Sequence, residues 1–130
     1  MTAAMEARLR GSFAKQGLMT LFGATMTRIA PGQVEIALSP KPELSQQHGF
    51  VHGGALTAIA DSAAGYAALS LMPANRGVLT TEMKINFLAP AAGDHIIFRA
   101  EHIRQEQFVA VPVHVQRFGF DGASREVDAE

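Results

Sequence analysis

A chain of 130 residues with 11 Lys and Arg against 12 Asp and Glu has a formal net charge of -1, so no basic face is expected and nucleic acid is a poor partner class. It has no cysteine, which rules out disulfides, thiolate metal sites and a cysteine nucleophile. The length suits one domain, residues 1–130, with room for a real core.

Met1 to Arg10 mixes Glu6, Arg8 and Arg10 with alanines and lacks the apolar centre of a signal peptide, so a cytoplasmic location is expected. Met5, Leu9, Phe13 and Leu18 recur among charged neighbours over Met5 to Leu21. That spacing predicts an amphipathic helix, broken near Gly17 and laid over the domain. Phe22 to Ile29 reads as a strand, Pro31-Gly32 as a turn, and Gln33 to Ser39, with Val34, Ile36 and Leu38 alternating, as the second strand of a hairpin. Pro40 to Val51 is a loop. Gly53 to Met72 is a long helix stopped by Pro73-Ala74-Asn75-Arg76-Gly77. Val78 to Leu88 alternates Leu79, Thr81, Met83, Ile85 and Phe87 against polar residues and gives the clearest strand pattern in the chain. His95 to Arg104 and Phe108 to Phe118 are further strands. Pro112 on the second of these suggests an edge or bulge. A reversal is expected at Gln105-Glu106-Gln107 and a hairpin turn at Asp121-Gly122. Ser124 to Val127 leaves room for only a short last strand. Runs of antiparallel strands with one central helix define an α+β domain, a sheet wrapped around that helix.

The helix carries the chemical signal. From Gly53 to Met72 its only charged side chain is Asp61, in about five turns. The stretch is long enough to cross a bilayer, but Asp61 and the Gly, Ala and Ser content point to a buried helix of a non-membrane protein. A buried carboxylate is costly unless something pairs with it or uses it. Gly53-Gly54 at the helix start exposes backbone N–H groups at the positive end of the helix dipole, where an oxygen gaining negative charge can be held. On a helical projection Asp61 shares a face with Gly54, Thr57, Gly65 and Ala68, while Leu56, Ile59 and Tyr66 lie elsewhere. A slot of small residues thus joins the helix N-terminus to the carboxylate, which suits attack of water on an acyl carbon. Asp61 would be general base or nucleophile, and the Gly53 N–H would polarise the carbonyl. On the helix pattern alone, a structural Asp that binds backbone amides or a subunit contact is the competing reading.

The motif His52-Gly53-Gly54-Ala55-Leu56, then Asp61-Ser62-Ala63-Ala64-Gly65-Tyr66, then Lys84-Ile85-Asn86-Phe87-Leu88-Ala89-Pro90-Ala91 resembles the hotdog-fold acyl-CoA thioesterases. The likeness is greatest to the phenylacetyl-CoA (PaaI-type) subgroup, with relatives acting on hydroxybenzoyl-CoA, and runs from about Phe13 to Phe98. The resemblance implies a hotdog fold, in which an antiparallel sheet wraps the long helix. It also implies a homodimer with active sites at the interface, dimers pairing into a homotetramer, and no metal or organic cofactor. By position, Asp61 matches the catalytic carboxylate and Gly53 the backbone donor to the thioester oxygen. His52 matches the histidine beside that donor, and Gln46 a residue that places water or substrate. Thr80 matches a hydroxyl delivered from the neighbouring subunit's strand. An aryl or a short or medium acyl-CoA is the implied substrate, giving the free acid and CoA.

The chain departs from that pattern at Gln105-Glu106-Gln107, which lacks the usual Gly-Arg element, and in its short or absent last strand. Lys84 and Arg104 are candidate phosphate contacts against the plainer reading of solvated surface. His48 and His52 have an i, i+4 spacing but no third ligand nearby. Ser62 and Ser70 have no paired histidine, so a serine triad is unsupported. Two other functions are weighed against hydrolysis. A non-catalytic acyl-CoA binding module would fit the altered C-terminal part. A hotdog hydratase or dehydratase would need a histidine paired with the carboxylate, and none lies on the helix face of Asp61.

Overall fold

The computed structural model describes residues 1–102, 113–118 and 124–129. Two helices come first, α1 (Ala3–Phe13) and α2 (Gly17–Phe22). The predicted break near Gly17 is present, and it resets the helical phase. Leu9 is fully buried, but Leu18, expected on the same apolar face, is 48% exposed, and Met19 takes the core position instead. Gly23 closes α2 in the left-handed region at φ 71, a conformation that favours glycine. The strand expected from Phe22 therefore starts only at Thr25.

Strands β1 (Thr25–Ala30) and β2 (Gln33–Leu38) form the predicted hairpin around Pro31-Gly32. Proline followed by glycine at φ 73 is the type II turn pattern. The sheet continues through β3 (His95–Glu101), β4 (Val113–Phe118) and β5 (Ser124–Ala129), all antiparallel, in the order β1-β2-β3-β4-β5. The last strand, expected to be short or absent, pairs with β4 over its six residues. Its sequence, Ser-Arg-Glu-Val-Asp-Ala, has little apolar alternation, but a ladder of backbone hydrogen bonds needs none. The features expected at Arg104, Gln105-Glu106-Gln107, Pro112 and Asp121-Gly122 lie outside the described residues.

The long helix α3 (Gly53–Leu69) lies across β2 and β3. Period-two alternation sends Val34, Ile36 and Leu38 of β2 and Ile96, Phe98 and Ala100 of β3 into one core with Ile59, Ala63 and Ala67 of α3. All of them are fully buried. Register places Ile36 opposite Phe98 and Leu38 opposite Ile96, so the core is built from cross-strand pairs under a thin, alanine-rich helix. Among the described residues no helix is long and apolar enough to cross a membrane.

The hairpin turn is tied to the end of α3. The Gly32 N–H donates to Ser70 Oγ at 2.7 Å, and that hydroxyl donates to the Ala67 carbonyl at 2.7 Å. Ser70 is buried. Ser70→Ala leaves a buried N–H unpaired and is expected to cost about 1–3 kcal/mol, read as a lower urea midpoint with unchanged slope.

One expected strand is absent. Val78 to Leu88 enters no ladder among the described residues and runs along α3. Its alternation is real in the sequence, but a strand requires an edge to pair with, and this segment meets a helix instead. Val78 Cγ1 comes within 3.9 Å of where a Cβ on Gly65 would stand, Thr80 reaches Asp61, and Phe87 lies against Gly53. The segment therefore descends the small-residue stripe of α3 in the opposite direction. It also leaves Leu79 at 93%, Phe87 at 59% and Leu88 at 66% exposure, an apolar surface without cover in the single chain.

Candidate active site

The loop before α3 sets the position of its first turn. Gln46 organises that loop: its N–H donates to the Phe50 carbonyl, and its Oε1 accepts from His48 N–H at 2.6 Å and Phe50 N–H at 3.3 Å. Two backbone bonds then lock the exit, His52 N–H to Leu44 O at 2.7 Å and Val51 N–H to Ala91 O at 3.3 Å. Gln46 thus shapes the approach to the helix and makes no bond to Asp61.

His52 is the N-cap. Its Nδ1 accepts from the Gly54 N–H at 2.8 Å, which places the ring proton on Nε2. Its carbonyl accepts from Ala55 and Leu56. A helix start carries four orphan N–H groups: the His52 N–H donates to Leu44 O, and His52 itself satisfies those of Gly54 and Ala55. The remaining one is Gly53, whose N–H has no partner among the described residues. The Phe87 ring stands beside it, so close that a Cβ on residue 53 would sit 3.3 Å from Phe87 Cζ. Glycine here keeps the donor accessible.

Asp61 lies eight residues on, roughly 12 Å along the axis. It is half-buried, less enclosed than the all-round apolar composition of the helix predicts. The stripe of Gly54, Thr57, Asp61 and Gly65 is the part of α3 that the sheet does not cover, whereas Ala68 is buried. Thr80 Oγ1 donates to Asp61 Oδ1 at 2.5 Å, a short charge-assisted bond that fixes the carboxylate rotamer. In the single chain the hydroxyl that reaches Asp61 is the chain's own. So Asp61 and Thr80 come together, His52 and Gly53 form the helix start, and Gln46 stands behind them. Lys84 is exposed. Among the described residues no cluster of His, Asp and Glu is grouped to hold a metal ion.

Asp61 also lines a cavity of about 470 Å³ between α1, α3 and residues 76–80, with Arg8, Ser12, Gln16, Ser62 and Tyr66 on its walls. The sequence reading missed this wall. Arg8, Ser12 and Gln16 stand four residues apart, a polar stripe at helical spacing that was the available signal.

An antiparallel sheet lying on one long helix is the α+β hotdog architecture. The thioesterase superfamily model matches residues 48–111, the stretch holding the helix motif. A thioesterase family protein from Silicibacter pomeroyi is 39% identical, with 96% of this chain and 92% of that one covered and a TM-score of 0.90. The PaaI protein of the E. coli phenylacetic acid degradation operon is 17% identical, over 96% and 88% of the two chains, with a TM-score of 0.79. A thioesterase-like, phenylacetic acid degradation-related protein from Ralstonia eutropha is 19% identical, over 96% and 93%, with a TM-score of 0.78. No curated protein matches the chain. The chain belongs to the thioesterase superfamily and is a thioester hydrolase.

Proposed function

We propose that the substrate is an acyl-CoA and that the Gly53 N–H and the Asp61 carboxylate carry its hydrolysis. The observation that supports this reading most is the single unpaired N–H at Gly53, on the same open stripe of α3 as Asp61 held by Thr80. The thioester oxygen is received by the Gly53 N–H, and the helix dipole stabilises the oxyanion as the carbonyl is attacked. The separation of roughly 12 Å along the helix is too long for Asp61 to attack a carbonyl bound at Gly53 of its own chain, since bond formation starts from about 3–3.5 Å. A single water spans only about 6 Å, so in the interface site proposed below the donor and the carboxylate of one site come from two facing copies of the helix, with Asp61 as general base on water. His52 fixes the turn that presents the donor, and Gln46 holds the loop behind it. Thr80 keeps one carboxylate oxygen occupied and the other free for water.

The exposed apolar segment 78–88 is the surface on which a second copy would pair, giving a homodimer with active sites at the interface, then a homotetramer, in the cytoplasm. Light scattering reads that state, with a monodisperse monomer at micromolar concentration as the contrary result. No metal or organic cofactor enters the reaction. An acyl-CoA binding module without turnover is less well supported, because the last strand that sequence reading found wanting is formed. A hydratase is disfavoured by His52, whose Nδ1 is committed to the helix cap.

Thiol release from a panel of aryl, short and medium acyl-CoAs tests the proposal. Turnover of at least one class supports it, and none from folded protein overturns it. Thr80→Val removes the bond to Asp61 and is expected to lower kcat by about 10- to 100-fold, in keeping with roughly 1.5–3 kcal/mol for a hydrogen bond to a charged group. An unchanged kcat would show that the carboxylate is held by other means.

A further inference from the structure

Thr80 reaches Asp61 from a segment that enters no ladder among the described residues. Its side chain is exposed, so packing alone does not fix where the hydroxyl stands. The approach is fixed earlier, in the turn that follows α3. There the Arg76 N–H donates to the Pro73 carbonyl at 3.0 Å. The guanidinium of Arg8, from α1, closes over that turn. Its Nη1 donates to the Pro73 carbonyl at 3.4 Å, and its Nη2 donates to the Arg76 carbonyl.

Arg8 stands on a helix that is docked without it. Leu9 is fully buried, Arg10 Nη1 donates to the Met26 carbonyl of β1 at 2.8 Å, and Ser12 Oγ lies 3.1 Å from the Tyr66 hydroxyl of α3. Nor does α3 need Arg8 in order to end, since Pro73 already stops it. What the two bonds add is a fixed origin for the chain that follows. Thr80 is four residues beyond Arg76, a span of up to about 13 Å, and Val78 rests against Gly65 in between. A turn held at both carbonyls keeps that short span on the Asp61 side of α3. Arg8, Thr80 and Asp61 line one cavity. An arginine suits the task because its planar fork offers several N–H donors to two carbonyls at once.

We propose that Arg8 is a positioning residue for the hydrolysis. From α1 it holds the turn at Pro73 and Arg76, and through that turn it sets the Thr80 hydroxyl on the Asp61 carboxylate. The inference rests on the reading of Asp61 as general base on an acyl-CoA and extends that machinery to the N-terminal helix. Arg8 acts on the rate only by way of Thr80, so its effect exists only while the Thr80 hydroxyl is present. A purely structural arginine would cost the same with or without that hydroxyl.

The test is a double-mutant cycle of Arg8→Met and Thr80→Val, with phenylacetyl-CoA and hexanoyl-CoA as the aryl and medium-chain probes. Arg8→Met keeps an unbranched apolar stem and removes every donor. Alone it is expected to lower kcat roughly three- to tenfold, a part of the Thr80→Val loss, with KM nearly unchanged. In the Thr80→Val background the same substitution should change kcat by less than about twofold. Arg8→Lys, with one nitrogen in place of the fork, should recover part of the rate, and it runs the same cycle if the methionine variant fails to fold. Hydrogen exchange at the Arg76 N–H should quicken in Arg8→Met and stay as in the wild type in Thr80→Val. Equal losses in both backgrounds, a wild-type kcat in Arg8→Met, or unchanged Arg76 exchange would each overturn the inference while leaving thioester hydrolysis standing. If the wild type cleaves neither probe nor any other acyl-CoA, the acyl-CoA reading falls and this inference falls with it.

Discussion

Asp61→Asn is expected to lower kcat by about 10²–10⁴, the range that a positioned general base supplies. The replacement keeps the shape of the side chain and an oxygen that accepts the Thr80 hydroxyl bond. What it loses is the ability to take a proton from water, so the deficit should fall on kcat more than on KM. The carboxylate is half-buried and sits outside the packed core, hence the fold should survive. Circular dichroism and the unfolding midpoint check that part, and thiol release checks the rate. A folded variant with a wild-type rate would place the chemistry elsewhere.

Phe98→Ala is the substitution expected to damage stability most, by about 3–5 kcal/mol. Phe98 is among the largest fully buried side chains, at the centre of β3 between β2 and β4, and it packs into the core beneath α3. Deleting its ring loses the transfer energy of the removed atoms and leaves a cavity, since two paired strands and a helix cannot all close in on it. Denaturant unfolding reads the loss. A value below about 1 kcal/mol would mean that the core repacks freely around the gap. Because 3–5 kcal/mol is a large share of the stability of a small domain, activity of this variant should fall through the folded fraction, with kcat per folded molecule preserved.

How far the sequence carried the account depends on what each signal specifies. The hairpin around Pro31-Gly32 and the long helix were legible because turn residues and helix punctuation act locally. Gly53-Gly54 and Asp61 were legible because a charge in an apolar helix and glycines at its start have few other uses. The segment 78–88 was not, because alternation shows that a strand is suitable without supplying an edge to pair with. The last strand, expected as a short one over Ser124 to Val127, runs on to Ala129, since a backbone ladder can form where side-chain alternation is weak. Tyr66 was assigned away from the Asp61 face by its projection angle. A helical side chain leans toward the turn N-terminal to its own Cα, and that lean carries the Tyr66 hydroxyl toward Gln16, which also holds Ser62. The contribution of Ser12 and Gln16 depends on how α1 crosses α3, a tertiary fact that their four-residue spacing hints at and does not fix.

The central claim, that this site cleaves an acyl-CoA thioester with water, is tested most directly by a single turnover. Excess wild-type protein is mixed with one acyl-CoA, and coenzyme A, free acid and remaining thioester are quantified together by mass. The account predicts that the thioester disappears and that coenzyme A and free acid appear in equal amounts. Intact thioester recovered from saturated, folded protein, or a hydrated acyl-CoA with no free coenzyme A, would contradict it.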